Sequence, residues 1–224
     1  RGFSMKLTFI NGSPRGVSSN TGKLMEHFIS GFLETEGNSV DTFYVIKERP
    51  GFESIISAVS RAENVLLGFP LYVDAMPGSV KEFIEGLAPL KGKLPGLKMM
   101  YLVQNGFPET CHNRYVERYC EKLTHRLGFT YGGAICKGGC EGLSVQPPFL
   151  VEKVFKMFNE IGRAFGKTGE LDSDLLAKLA HPEHVKAENI KQVALMVNGF
   201  LWDQWMKKNG VEHLSFARPY GEDL

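Results

Sequence analysis

The sequence is poor in cysteine, with four thiols in 224 residues. The disulfide framework of a small secreted domain needs a much denser set, so free thiols in a reducing cytoplasm are the better interpretation. There is also no apolar run typical of a signal peptide, and no stretch approaches the roughly 18 apolar residues of a membrane span. We therefore expect a cytoplasmic protein without a membrane partner. Met5 resembles a natural start, so we set residues 1–4 aside.

An excess of charge of one sign is lacking as well. The chain carries 26 Lys and Arg against 25 Asp and Glu, a net charge of +1, and the two signs are interspersed. Non-specific binding of nucleic acid depends on a strong basic field, so we expect no nucleic-acid partner. A chain of this length with 43% hydrophobic residues buries a sizeable core without disulfides or structural metal.

Strand-like and helix-like patterns alternate from Met5 to about Leu150. Five short runs are rich in apolar and β-branched residues, at 7–10, 40–46, 65–69, 98–104 and 131–136. The segments between them place apolar residues three and four apart, as helices do. This alternation predicts an α/β fold: a three-layer, doubly wound, five-stranded parallel sheet of order 2-1-3-4-5.

The pattern changes near residue 166, so we predict one domain at 5–165 and a helical C-terminal extension at 166–224. The segment 187–208 is apolar on most sides but is interrupted by Asn198 and Asp203. A helix packed on the same domain or on a partner subunit is favoured over an aromatic lid above the site.

Two helix starts are predicted from local chemistry. Ser79 and Glu82 have the spacing of a capping box. Pro108 and Glu109 suit the first turn of a later helix, since proline loses no needed donor there and the acid faces the helix dipole. The apolar stripe of that later helix is predicted to be Tyr115, Val116, Tyr119, Cys120, Leu123 and Leu127.

The loop 12–21 joins the first strand to the first helix and is unusually polar. Backbone amides and the dipole at a helix N-terminus favour an anion. Asn20 or Thr21 can cap the helix, but a cap explains one or two polar residues and not five around two glycines. The spacing fits neither the nucleoside-triphosphate loop nor the dinucleotide fingerprint. We interpret the segment as a phosphate loop at the point where strand order reverses.

Three segments together resemble one family. The phosphate loop contains Gly-Ser-Pro-Arg at 12–15 and Ser-Asn-Thr at 19–21, and the segment 70–77 reads Pro-Leu-Tyr-Val-Asp-Ala-Met-Pro. The third segment is Gln-Asn-Gly-Phe at 104–107. In combination they are similar to the NAD(P)H-dependent FMN reductases and quinone reductases of the flavodoxin-like superfamily, over roughly residues 5–139.

The resemblance implies a division of roles among the three segments. The residues implied to hold the phosphate of FMN are Ser13, Arg15, Ser19, Asn20 and Thr21. Those implied to follow the edge of the flavin ring are Pro70, Leu71, Tyr72 and Val73. Those implied to line its pyrimidine side are Asn105, Gly106 and Phe107.

The implied activity is that of an FMN-dependent oxidoreductase. Hydride passes from NADH or NADPH through FMN to a quinone, flavin or similar small acceptor. FMN carries the chemistry, so no catalytic side chain is expected. Members of the family commonly complete the flavin pocket with a second subunit, which implies a homodimer. Two alternatives stay open: an FMN electron carrier without nicotinamide turnover, and a protein that binds a phosphorylated metabolite without flavin.

No metal site or iron–sulfur cluster is expected. Cys136 and Cys140 are four residues apart without further cysteines nearby. His181 and His184 have no evident third ligand, and Pro182 interrupts any helical face between them. Free packed thiols and surface loop histidines are therefore the better interpretation.

Overall fold

The computed structural model describes residues 4–144, 146–218 and 221, and for residues 144, 150, 200 and 201 it describes the backbone alone. Of the four residues set aside at the N-terminus, the first three lie outside this range. The chain forms two compact units, Arg1–His184 and Val185–Leu224.

A five-stranded parallel sheet forms the centre of the first unit. Its order is β2-β1-β3-β4-β5, as the alternating pattern predicted. Buried strands of a parallel sheet are apolar on both faces, which is why the central strand reads as a continuous apolar run. The strands are β1 Lys6–Asn11, β2 Ser39–Tyr44, β3 Asn64–Pro70, β4 Lys98–Gln104 and β5 Thr130–Lys137.

Helices cover both faces of the sheet and divide the core into two clusters. One cluster packs α1 and α5 against one face of the strands, and the other packs α2, α3 and α4 against the opposite face. Right-handed crossovers between parallel strands require this arrangement. The helices of this unit are α1 Asn20–Phe32, α2 Glu53–Ser60, α3 Gly78–Gly86, α4 Arg114–Leu127, α5 Pro148–Thr168 and α6 Ser173–Leu179. Leu179 of α6 is buried in the same cluster as α1 and α5.

Helices α1 and α5 approach each other closely at two glycines. A Cβ atom at Gly31 would overlap the carbonyl oxygen of Asn159, and one at Gly162 would overlap that of Phe28. The backbones therefore touch directly, and the phenylalanine rings of the two helices pack beside this contact.

Three local predictions were wrong. Helix α3 begins at Gly78 after Pro77, so Ser79 lies within the first turn and does not cap it; its buried hydroxyl has no hydrogen-bond partner. Helix α4 begins at Arg114, because residues 110–113 first form a 3-10 turn. Tyr115 is 76% exposed and Tyr119 is 43% exposed, so the buried stripe of α4 excludes both.

The second unit contains α7 Ile190–Val197, a π-helical turn at Asn198–Trp202 and α8 Asp203–Lys208. Several of its large apolar side chains are exposed, among them Leu195, Met196, Trp202 and Phe216. Among the described residues, no helix is both long enough and apolar enough to cross a membrane.

The contact between α1 and α5 predicts a stability difference. The substitution Gly162→Ala should lower the free energy of unfolding by about 1–3 kcal/mol, because an added methyl group forces two packed backbones apart. Gly96→Ala is the control, since a Cβ atom there has nothing within 4 Å. Urea unfolding followed by circular dichroism measures both. Equal midpoints for the two variants would contradict this account of the contact.

Candidate functional site

The loops that follow β1, β3, β4 and β5 meet at the carboxyl edge of the sheet. They enclose a cleft of about 40 Å³ where the strand order reverses between β1 and β3. Open parallel sheets bind their ligands at this position. The cleft is lined by Ser13, Arg15, Asn20, Pro70, Leu71, Tyr72, Gln104, Asn105, Gly106 and Glu141.

Asn11, the last residue of β1, organises the first loop. Its buried side-chain amide donates to the carbonyl of Gly16 at 3.3 Å and to the hydroxyl of Ser19 at 3.1 Å. Its Oδ1 accepts the backbone N–H of Ser13 at 2.9 Å. One side chain therefore holds three points of the loop and fixes its curvature before helix α1 begins.

Two of the predicted phosphate residues support the loop from behind. Ser19 is the N-cap of α1, because its hydroxyl accepts the N–H of Gly22 at 3.0 Å. The sequence had suggested Asn20 or Thr21 as the cap, which is wrong. Thr21 is fully buried next to Gly68 of β3, where its hydroxyl accepts from the amide of Gln104 at 3.4 Å. Neither Ser19 nor Thr21 lines the cleft.

Arg15 brings a positive charge to the cleft. Its guanidinium lies 3.7 Å from a carboxylate oxygen of Glu141, and both side chains are about half exposed. An ion pair of this length and exposure contributes little to stability. The guanidinium can therefore turn to another anion at small cost, while the carboxylate of Glu141 opposes that anion.

Two buried asparagines connect the loops. Asn20 donates to the carbonyl of Cys140 at 2.6 Å, and the N–H of Cys140 donates to the carbonyl of Asn105 at 2.8 Å. The Asn105 amide nitrogen donates to the side-chain oxygen of Asn113 at 2.8 Å. The Asn105 side-chain oxygen is buried without a hydrogen-bond partner. Asn105 also lines the cleft, so this oxygen is a candidate acceptor for an N–H or O–H donor of a ligand.

The loop after β3 carries a strained turn. Tyr72 and Ala75 exchange backbone hydrogen bonds, and Val73 and Asp74 between them both have positive φ, 52° and 56°. This region is costly for a β-branched residue. Val73 is 99% exposed at the tip of the turn, outside the cleft lining, while Tyr72 and Leu71 form part of the wall.

His112 connects the loops that follow β3 and β4. Its ring stacks on Phe107 with centroids 4.4 Å apart. Its Nδ1 is 3.8 Å from a carboxylate oxygen of Asp74, and its Nε2 is 3.6 Å from one of Glu109. Phe107 is 56% exposed and lies outside the cleft lining.

Burial suppresses the ionisation of the thiols. It raises the pKa of Cys140, behind the cleft, to about 12, and it also raises that of Cys120 to about 12 and that of Cys136 further. Cys111 is the half-buried thiol, and its pKa is raised by burial and by the charges of Glu109 and Glu183. None of the four cysteines forms a disulfide in the structure.

Eight of the twelve predicted cofactor residues come together in the cleft lining; Ser19, Thr21, Val73 and Phe107 do not. Asn11, Gln104 and Glu141 also belong to the site and were not among the predicted residues. Asn11 and Gln104 had a signal, since each is a polar residue that ends an apolar strand. Glu141 had none, because it reaches Arg15 through a contact between distant parts of the chain.

No family model and no curated protein matches the chain. Solved structures match it in fold. An NADH:FMN oxidoreductase in its apo form is 16% identical with a TM-score of 0.55, and the match covers 83% of this chain and 99% of that one. An NADPH-quinone reductase from P. pentosaceus is 14% identical with a TM-score of 0.52, covering 70% and 96%. The Trp repressor binding protein from Bacillus subtilis is 20% identical with a TM-score of 0.50, covering 59% and 84%.

The strand order and these matches show a flavodoxin-like fold. Identities this low show the shared fold alone.

The role of Asn11 predicts the effect of removing its side chain. Asn11→Ala should lower the free energy of unfolding by about 1–3 kcal/mol, because it leaves the N–H of Ser13 without its acceptor inside the loop. Asn189→Ala is the control: Asn189 is exposed in the second unit, and at the N-cap position of α7 its side chain makes no capping hydrogen bond, so a change within about 0.5 kcal/mol is expected. Chemical denaturation measures both. A loss in Asn11→Ala no larger than in the control would contradict the role of Asn11.

Proposed function

We propose that this chain is an FMN-dependent NAD(P)H oxidoreductase that passes hydride from a nicotinamide to a quinone, flavin or similar small acceptor. The observation that carries the proposal is the cleft at the strand-order reversal, which combines an anion loop, an apolar edge and a buried acceptor without a partner. The names of two fold neighbours, an NADH:FMN oxidoreductase and an NADPH-quinone reductase, support the same reaction class.

The phosphate of FMN would bind at the N-terminus of α1. Ser13, Arg15 and Asn20 line the cleft there, and the helix dipole adds a favourable partial charge. Ser19 and Thr21 would contribute by holding the loop and the helix start in place. The guanidinium of Arg15 would exchange its long contact with Glu141 for a charge-assisted hydrogen bond to the phosphate.

The flavin ring would lie against the loops after β3 and β4. Pro70, Leu71 and Tyr72 supply the apolar edge. The partnerless oxygen of Asn105 would accept the N–H of the pyrimidine part of the ring, and Gly106 places no side chain between the ring and the backbone. Val73 and Phe107 would contact the ring only from the rim, given their exposure.

The chain would bind and orient its ligands and leave the chemistry to the cofactor. Bound FMN supplies a site that accepts a hydride and passes on electrons, so no acid, base or nucleophile of the protein is required. The Tyr72–Ala75 turn, with its paired backbone hydrogen bonds and two positive φ angles, would fix the position of Tyr72 beside the ring. Tyr72, which is 43% exposed, would limit the access of water and of small acceptors from one side.

Opposite changes at Arg15 and Glu141 test the phosphate position. Arg15→Ala should weaken FMN binding by about 10- to 100-fold, the loss of one hydrogen bond from a charged donor. Glu141→Gln should strengthen it, because the opposing carboxylate is removed. Titration of the apoprotein with FMN, followed by quenching of flavin fluorescence, measures both affinities.

The control is Arg61→Ala, at the C-terminal end of α2 and beside the opposite edge of the sheet, where the guanidinium contacts Ser57. It should leave the FMN affinity unchanged. The phosphate assignment fails if Arg15→Ala binds FMN as tightly as Arg61→Ala does.

The activity is tested by rapid mixing of the FMN-loaded protein with NADH or NADPH under anaerobic conditions. In an oxidoreductase, the flavin absorbance at about 450 nm should fall after the reduced nucleotide is added and should return when a quinone is added. Retention of the absorbance with both nucleotides would favour the alternative, an electron carrier. A purified protein that binds no FMN would exclude both in favour of a phosphorylated metabolite.

We further propose a homodimer in the cytoplasm, with residues 5–165 as the flavin-binding domain and 166–224 as the extension. The exposed apolar side chains Leu195, Trp202 and Phe216 support a second subunit, because isolated soluble chains rarely expose so many large apolar groups in one short segment. Sedimentation velocity measures the oligomeric state; a monomer at micromolar concentration would contradict the dimer.

A further inference from the structure

A second cluster of chemistry-bearing side chains lies outside the cleft. A carboxylate oxygen of Glu109, the sulfur of Cys111 and an imidazole nitrogen of His184 all lie within 4.8 Å of one another. Within the part of the chain that the structure describes, this is the one group of three His, Cys, Asp or Glu side chains found so close together. Glu109 and Cys111 are half-buried, and His184 is exposed.

Backbone hydrogen bonds hold the two segments of this cluster together. The N–H of Thr110 donates to the carbonyl of Pro182, and that of Cys111 donates to the carbonyl of Glu183, both at 3.1 Å. Arg114 then grips the Glu183 carboxylate with two hydrogen bonds of 2.9 and 2.7 Å. His184 is the next residue after Glu183. The hydrogen bonds of Glu183 to Cys111 and Arg114 therefore place the backbone of His184 beside Cys111, and the imidazole ring takes no part in them.

We propose that Glu109, Cys111 and His184 form a zinc site. Sulfur, imidazole nitrogen and carboxylate oxygen are the ligands that zinc takes in proteins, whereas magnesium and calcium prefer oxygen alone. Zinc–ligand bonds of about 2.0–2.3 Å in tetrahedral geometry put the ligand atoms about 3.5 Å apart. The three atoms, now within 4.8 Å of one another, would therefore have to approach by about 1 Å. This proposal departs from the expectation of no metal, which rested on the lack of a third ligand near His184.

The charges of the proposed site balance. The thiol of Cys111 gives its proton to water as the zinc–sulfur bond forms, and the resulting thiolate and the Glu109 carboxylate neutralise the two positive charges of the ion. His184 binds as neutral imidazole, and a water molecule takes the fourth position. Glu183 does not compete as a ligand, because Arg114 holds both of its oxygens.

A zinc ion here would tie the loop after β4 to the segment that follows α6. The same loop carries His112, whose Nε2 is 3.6 Å from Glu109 and whose ring stacks on Phe107. The ligands themselves lie outside the cleft lining, so zinc binding and FMN binding are separable measurements.

The test is titration of the purified, metal-free protein with zinc chloride in an isothermal calorimeter. We expect one equivalent to bind and to raise the unfolding temperature, with magnesium chloride giving neither effect. Cys111→Ala and His184→Ala should each weaken zinc binding by about tenfold or more, since even groups that only support a ligand cost 10- to 100-fold. Cobalt in place of zinc should give a thiolate-to-metal charge-transfer band that Cys111→Ala lacks.

His125→Ala is the matched control, because His125 is an exposed histidine on α4. It should bind zinc like the unaltered protein. EDTA removes bound metal, so unfolding temperatures measured in EDTA compare the folds without zinc. Equal values for Cys111→Ala and the unaltered protein show that the variant folds. The proposal is overturned if the unaltered protein binds no zinc, or if the Cys111 and His184 variants bind it as His125→Ala does. FMN affinity should be the same in all three variants, so failure here leaves the proposed function untouched.

Discussion

The structure depends on the parallel pairing of its five strands. Parallel neighbours need a crossover, and right-handed crossovers put helices on both faces of the sheet. All carboxyl ends then emerge at one edge, and the reversal of order between β1 and β3 opens a gap there. The polar loops that follow β1, β3, β4 and β5 lie together at this gap because they all leave the sheet at the same edge. The α1–α5 contact at Gly31 and Gly162 completes one face by bringing the two helices to touching distance.

The sheet was predictable because each buried strand leaves an apolar run bounded by turn residues. The bounds of β4 agree with those expected from the sequence. Right-handed crossovers left few possible strand orders, and the observed order is the one predicted among them. Helix starts were less predictable. Helix α3 begins two residues earlier than a cap at Ser79 predicts, because Pro77 is its N-cap. Tyr115 and Tyr119 were counted as apolar, although amphipathic rings also lie at the surface.

The three motif segments that form the cleft could be predicted from the sequence. Which of their residues line the cleft and which lie behind it or at its rim could not. Ser19 and Thr21 look like ligand groups in the sequence, yet the structure places both behind the loop. Glu141 meets Arg15, and the carbonyl of Cys140 accepts from Asn20, by contacts between distant parts of the chain. Periodicity and capping rules describe only near neighbours, so neither contact had a local signal. The approach of Cys111 to His184 was hidden for the same reason.

The hydrogen bond from Asn20 to the carbonyl of Cys140 has a consequence for synthesis of the chain. The first loop of the protein is closed by a group that the ribosome adds 120 residues later. Helix α1 likewise gains the cover of α5 only after residue 148. A nascent chain that ends before β5 therefore exposes the apolar face of α1 and holds an unfinished anion loop. The cleft therefore depends on residues as far along the chain as Glu141, and an N-terminal piece that ends before β5 lacks part of its lining.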